Sequence, residues 1–333
     1  MPETAEQSPQ TITVLAGGIG GAKYLQGVRQ YAARTGAEVT AIVNTGDDAT
    51  MHGLRICPDL DSVMYTLGDA HDRDRGWGQL GESWVVGSEL KIYGAGPTWF
   101  NLGDKDIATH LVRTQMLDAG YPLSAVTAAL CDRWQPGVRL LPMSDDRCET
   151  HVVVDLPDGT PDQRRAIHFQ EWWVRYRADI PSHEFVQIGL DQARPAPGVL
   201  DAIENTDLVL IAPSNPVVSI GTIVALPPIR AALRRTSAPV IGTSPLIGNA
   251  PLRGMADRCL QIIGLESSAR AVGDLYGSRA ATGILDGWLV ASADRYTDEQ
   301  LIVRGAPLLM TNIDATEQMV RAAVSIANDV ASR

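Results

Sequence analysis

Cysteine is scarce in this 333-residue chain: it has four, Cys57, Cys131, Cys148 and Cys259, and no two form a C-x-x-C pair. That spacing argues against a cysteine zinc site and a disulfide framework and fits reduced thiols in a cytoplasmic protein. Positive charge is also short, with 28 Lys and Arg against 39 Asp and Glu and a formal net charge of −11. A polyanion-coating protein needs the opposite balance, so no nucleic-acid partner is expected; a local cationic pocket remains compatible with the total. The most apolar long run, Leu208 to Leu226, is broken by Pro213, Asn215 and Pro216 and is no simple membrane span. Residues 1–10 are polar and lack the apolar region of a secretory signal, and are expected to form a disordered tail. Three motifs are missing as well. G-x-S-x-G, H-E-x-x-H and G-x-x-x-x-G-K-[ST] do not occur, which disfavours serine hydrolysis and excludes a P-loop, and no metal role falls to His52, His71, His110, His151 or His183.

What is present is an apolar fraction of 45%, enough for a full core without a staple. Thr11-Ile-Thr-Val-Leu-Ala runs into Gly17, Gly18, Gly20 and Gly21, then into an apolar helical pattern at Ala22, Leu25 and Val28. A strand, a glycine turn and a helix aim backbone N–H groups and the positive helix end at one spot, which suits a phosphate. The dinucleotide fingerprint G-x-G-x-x-G fits Gly18 and Gly20 but meets Lys23 at its third glycine. Tight strand–helix packing is the blander use of such glycines.

A second strand, Glu38–Val43, completes a βαβ unit, and Asp207–Ala212 and Pro239–Gly242 read as further buried parallel strands. Helices are expected over Ser62–Leu67, opened by Pro58-Asp-Leu-Asp61, and after a capping Asp104, with Ala108, Leu111, Val112 and Met116 on its apolar face. Another is expected over Ser124–Trp134, and a last one opened by a capping box at Asp314 and Glu317. Residues 68–103, rich in Gly, Trp and charge, read as an irregular segment with short helices that could serve as a lid over a site. Short extended runs over about 138–190, with a turn at Pro157–Gly159, read as a β-rich insertion. The expected fold is therefore α/β: one domain over 11–333, with a Rossmann-like parallel-sheet core and helices on both faces.

Open α/β sheets bind ligands beyond the carboxyl ends of their strands. Those ends carry the glycine loop, Asn44-Thr-Gly-Asp-Asp48, a loop with Ser214, Asn215 and Ser219, and a loop with Ser244. Phosphate-suited amides and hydroxyls would then share a crevice with Asp47, Asp48 and Asp61. Carboxylates and phosphates repel each other, so a divalent cation, Mg²⁺, is expected between them. Lys105, in a first helical turn, is either an exposed lysine or a ligand of an anion. His168-Phe-Gln-Glu-Trp-Trp-Val-Arg175 offers aromatics and arginine for a planar ring, or a packed edge.

Taken together, these stretches resemble the 2-phospho-L-lactate transferases of coenzyme F420 biosynthesis, called phosphoenolpyruvate transferases in actinobacteria. The resemblance is carried by Leu15-Ala-Gly-Gly-Ile-Gly-Gly-Ala-Lys, Val43-Asn-Thr-Gly-Asp-Asp, Cys57-Pro-Asp-Leu-Asp, Leu102-Gly-Asp-Lys-Asp, His168-Phe-Gln-Glu-Trp-Trp and Ala212-Pro-Ser-Asn-Pro-Val-Val-Ser. Thr50 departs from it, where the family tends to carry Trp. The resemblance implies a guanosine diphosphate-linked lactate or enolpyruvate as donor and the ribityl 5′-hydroxyl of a deazariboflavin as acceptor, with GMP released. It places Asp61 and Lys105 against the deazaflavin. Asp61 and Asp48 become the catalytic candidates, and Mg²⁺ would be held by Asp47, Asp48 or Asp61. Phosphates and ring would meet Gly17, Gly18, Gly20, Gly21, Asn44, Ser214, Asn215, Ser219, Ser244, His168 and Arg175. The enolpyruvyl donor is preferred, and a homodimer is expected. Two alternatives stand beside it: a nucleotide-sugar-binding regulator of a related family, and an NAD(P)-dependent oxidoreductase, the latter disfavoured by Lys23 and by the absence of an acid after Val43.

Overall fold

Seven short runs of mostly β-branched and apolar residues form one parallel sheet in the computed structural model, which describes residues 8–72, 74–157, 164–252 and 254–332. In chain order they are β1 (Thr11–Ala16), β2 (Glu38–Val43), β3 (Arg139–Pro142), β4 (Leu208–Ile211), β5 (Val240–Thr243), β6 (Gly287–Ala291) and β7 (Ile302–Ala306). Their spatial order is 3-2-1-4-5-6-7 and every pairing is parallel. This is the doubly wound order 3-2-1-4-5-6 with one strand added at the edge. From β1 the chain builds outward to β3, then crosses back to lay β4 against β1's other side. The loops leaving β1 and β4 therefore diverge over a crevice, the switch point at which such sheets take their ligands.

Alternation along β1 explains the two layers. Ile12, Val14 and Ala16 pack with α1 (Gly18–Thr35), α2 (Pro58–Leu67) and the C-terminal helix Ile313–Ala331, while Leu15 packs with helices Val199–Glu204, Pro227–Arg235 and Ala269–Tyr276. Helices thus cover both faces, as continuous apolar strands require. Among the described residues no helix is long and apolar enough to cross a membrane.

Several local expectations are corrected. Arg139–Pro142, grouped with the insertion by its pattern, is β3 of the core. The insertion proper is a three-stranded antiparallel sheet of Glu149–Asp155, Arg164–His168 and Ser182–Ile188, with a π-helical turn at Glu171–Arg175. In the turn at Pro157–Gly159, Asp158 and Gly159 lie outside the described residues, as do residues 1–7 of the tail; Gln10 is already tied to the sheet through Asp207. Segment 68–103 does contain a short helix as expected, α3 (Val85–Ile92), and is followed by α4 (Asp104–Asp118). Asp104 does not cap its own helix. Its carboxylate accepts the N–H groups of Val85 and Val86 at 3.1 Å, while Glu82 accepts those of Lys105 and Asp106 at 2.9 and 3.0 Å. The two helices cap each other. In α4 most of the expected apolar face is turned outward: Leu111 and Val112 are exposed, Met116 alone of the named long side chains packs against the core, and Thr109, His110 and Arg113 are buried. The last helix is capped by Asn312, whose Oδ1 accepts from Ala315 N, and buried Glu317 binds Gln30, Arg34 and Arg321 instead.

Candidate active site

The crevice at the switch point is a cleft of about 430 Å³. Its floor is the glycine loop and the Pro213–Ser219 loop, stapled together by Ser214, whose Oγ accepts from Gly17 N at 3.0 Å and donates to Gly17 O at 2.7 Å. That hydroxyl is committed to the staple. Gly17 cannot be anything larger: a Cβ there would lie 2.5 Å from Asp59 Oδ2 and 2.6 Å from Ser219 Cβ. Gly18 follows with φ of +60°, the left-handed region that favours glycine. Gly20 lines the cleft, and Gly21 is buried against Ser214. Close packing and an open backbone are therefore both at work in this loop.

The carboxylate that the missing Cβ makes room for is Asp59, in the first turn of α2. Asn44 Nδ2 donates to Asp59 Oδ2 at 2.9 Å and to Val218 O at 3.3 Å, and Asn44 Oδ1 accepts from Gly46 N at 2.9 Å. Asn44 is thus a buried brace between three loops. Ser219 Oγ donates to the same Asp59 oxygen at 3.4 Å. Burial pushes the Asp59 carboxyl up to about 6, against these hydrogen bonds. Asp47 also lines the cleft and is 5% exposed, with Oδ1 buried and without a hydrogen-bond partner. Burial first, then repulsion from Asp59 and Asp48, lifts its carboxyl well above the usual range.

The other expected acids have cationic partners, although Asp48 Oδ1, like Asp47 Oδ1, is buried without a hydrogen-bond partner. Asp48 Oδ2 is 3.1 Å from Arg55; burial pushes its carboxyl up to about 7 although Arg55 opposes the shift. Both Asp61 oxygens meet the guanidinium fork of Arg113, one at 3.1 Å, inside a buried network with His110, Asp106 and Tyr65. Neither Asp48 nor Asp61 lines the cleft. Among the described residues no three His, Cys, Asp or Glu side chains are gathered to hold a metal, so the set Asp47, Asp48 and Asp61 is not assembled. What the structure offers a cation is the pair Asp47 and Asp59. Their mutual repulsion and the orphaned Asp47 oxygen suit a divalent ion, and Mg²⁺ commonly takes one or two carboxylates plus substrate phosphates.

Remaining candidates divide in the same way. Asn215 and Ser244 line the cleft, though Asn215 Oδ1 also accepts from Val217 N and Val218 N, and Ser244 Oγ accepts from Leu246 N. Lys105 is exposed and donates from Nζ to Leu80 O at 2.7 Å, and Arg175 pairs with Glu171 at 2.7 Å; neither reaches the cleft. His168 is a brace between walls: Nε2 donates to Asp48 O, and Nδ1 accepts from Gln170 N, both at 3.1 Å. Burial lowers its proton affinity, which keeps this neutral tautomer in place. Next to it, Phe169, Gln170 and Trp173 form the insertion's contribution to the wall, opposite an apolar lip at Leu308–Met310.

Residues 12–329 match the family described as 2-phospho-L-lactate transferase CofD. The phosphoenolpyruvate transferase of Nocardia farcinica is 61% identical over 326 residues, covering 97% of this chain and 97% of the relative. That of Mycolicibacterium smegmatis is 60% identical over 323 residues, covering 95% of this chain and 98% of the relative. A solved structure of a UPF0052-family protein from Bacillus halodurans shares the fold, with a TM-score of 0.54 at 17% identity over 94% of this chain and 89% of that one. With nearly its whole length matched, the chain belongs to the 2-phospho-L-lactate transferase CofD family.

Proposed function

We propose that the chain moves an enolpyruvyl-phosphate group from a guanosine diphosphate-activated donor to the ribityl 5′-hydroxyl of a deazariboflavin, in coenzyme F420 biosynthesis. The names of the relatives at about 60% identity support enolpyruvyl over 2-phospho-L-lactyl. The observation that carries the reading is the meeting, at one switch point, of an open glycine loop with the buried carboxylates of Asp47 and Asp59.

Transfer of a substituted phosphate needs positioning and charge compensation more than covalent help. The loop amides at the start of α1 are suited to donor phosphates. Asp47 and Asp59 would hold Mg²⁺, which when bound neutralises the diphosphate. Phe169 and Trp173 supply faces on which a planar ring can stack. Asn44 and His168 fix the acidic loop and the aromatic wall relative to each other. Asp61, with Arg113 on both oxygens, and Asp48, with Arg55 on one, are assigned to support rather than to proton transfer.

The test mixes the protein with Mg²⁺, deazariboflavin and enolpyruvyl-diphosphoguanosine and follows products by mass spectrometry. GMP and a deazaflavin phosphodiester, both lost on chelation, are expected. No product with either donor, together with tight binding of a nucleotide sugar, would replace this reading with that of a regulatory binding protein.

A further inference from the structure

Among the described residues that line the cleft, the two carboxylates of Asp47 and Asp59 are joined by a single cationic side chain, Lys23. Its place is set by helix geometry. Ala22, Tyr24, Leu25 and Val28 are buried against the sheet, which fixes the rotation of α1 and turns Ile19, Gly20 and half-buried Lys23 to the cleft. Residues three and four apart share a helix face, and every Cα–Cβ bond tilts toward the helix N-terminus. The lysine stem therefore leans back over the turn of Ile19 and Gly20, toward the open loop at Gly17 and Gly18. Dinucleotide-binding loops place a glycine here so that helix and strand pack closely. This chain places an ammonium there.

Charge balance says what that ammonium would do. A cation held by Asp47 and Asp59 would already be offset by those two carboxylates, and an esterified diphosphate adds more negative charge. During transfer the acceptor oxygen bonds to the outer phosphorus and the bond from that phosphorus to the bridging oxygen breaks. The electron pair stays on the nucleoside monophosphate, and the hydroxyl proton is released to solvent. The departing phosphate thereby goes from about one negative charge to nearly two. We propose that Lys23 is a catalytic residue whose ammonium contacts the donor's diphosphate and stabilises the departing nucleoside monophosphate; this rests on the transferase reading above. A fixed charge aimed where charge develops acts on the transition state more than on the bound donor.

The test compares wild type with Lys23→Ala by steady-state kinetics with varied donor, with and without added ethylammonium, after matching melting temperatures. Expected are a fall in kcat of about a hundredfold or more, a donor KM within about threefold, and partial rescue of kcat by ethylammonium. A kcat near wild type, a loss confined to KM, or a lost kcat that ethylammonium fails to restore overturns the assignment. Should Lys23→Ala melt early, Lys23→Met keeps the stem and carries the same kcat and KM comparison. Wild type without turnover under these conditions refutes the transferase reading and this inference together; active wild type with an equally active variant refutes Lys23 alone.

Discussion

Replacing Asp61 with Asn removes one side of a buried ion pair and leaves the other side in place. The Asp61 and Arg113 side chains are 7% and 2% exposed. Among the described residues Arg113 has no other carboxylate as a hydrogen-bond partner; its further contacts are Arg55 O at 3.3 Å and His110 Nδ1 at 3.0 Å. Breaking a buried pair from one side costs about 3–5 kcal/mol, because the remaining charge stays desolvated. At about 2.1 cal/mol/K per residue, a chain of 333 residues has an unfolding entropy near 0.7 kcal/mol/K. The expected fall in Tm is therefore about 4–7 °C. Differential scanning fluorimetry reads it directly, and turnover at a temperature well below the transition should survive in large part. The double variant Asp61→Leu with Arg113→Met, which removes both charges, should recover most of the lost stability. An unchanged Tm with turnover abolished would refute the support role and return Asp61 to the chemistry.

Two further outcomes follow from the cleft. Gly17→Ala forces a Cβ to 2.5 Å from Asp59 Oδ2; it should cost about 1–3 kcal/mol and abolish both turnover and stabilisation by Mg²⁺, and an active variant would contradict the packing described. Burial holds the Asp59 carboxyl near 6 and those of Asp48 and Asp106 near 7, against 3.8 in the unfolded chain. The folded state then binds more protons than the unfolded one, so stability falls as pH rises through that window. His110, pushed down from 6.5 to about 4 by burial, works in the opposite sense but only below its ordinary value. The metal-free protein should melt higher at about pH 6.5 than at about pH 8, and a reversed order would contradict the buried acids.

β6 and β7, five-residue strands that each contain a glycine, were not read from the sequence. β1, β2, β4 and β5 and their loops were legible because strands buried on both faces read as continuous apolar runs, each ending in an unusual loop. β3 was not, since a four-residue edge strand carries no period long enough to separate it from a neighbouring insertion. Asp59 and Asp61 show the limit for the site. Both stand in Pro58-Asp-Leu-Asp61, and two residues apart on a helix point about 200° from each other, so only one can face the cleft. Choosing between them needs the rotation of α2, which its packing sets. In α4 the buried residues are Thr109, His110 and Arg113, and the signal was a polar stripe Asp106, His110, Arg113 at helical spacing. Hydrophobicity read the same stripe as the exposed face. Asp104 and Glu82 exchange caps across 22 positions of sequence, beyond the reach of any local motif.

If transfer takes place where Asp59 and Asp47 meet the glycine loop, it depends on the Asp59 carboxylate. Product formation by Asp59→Asn, against wild type and with Mg²⁺ in excess, tests it most directly. The Asn side chain keeps the shape and removes a buried carboxylate, so the variant should melt no lower than the metal-free wild type. Its rate of phosphodiester formation should fall about a thousandfold. A folded Asp59→Asn with a rate near wild type would contradict the site itself.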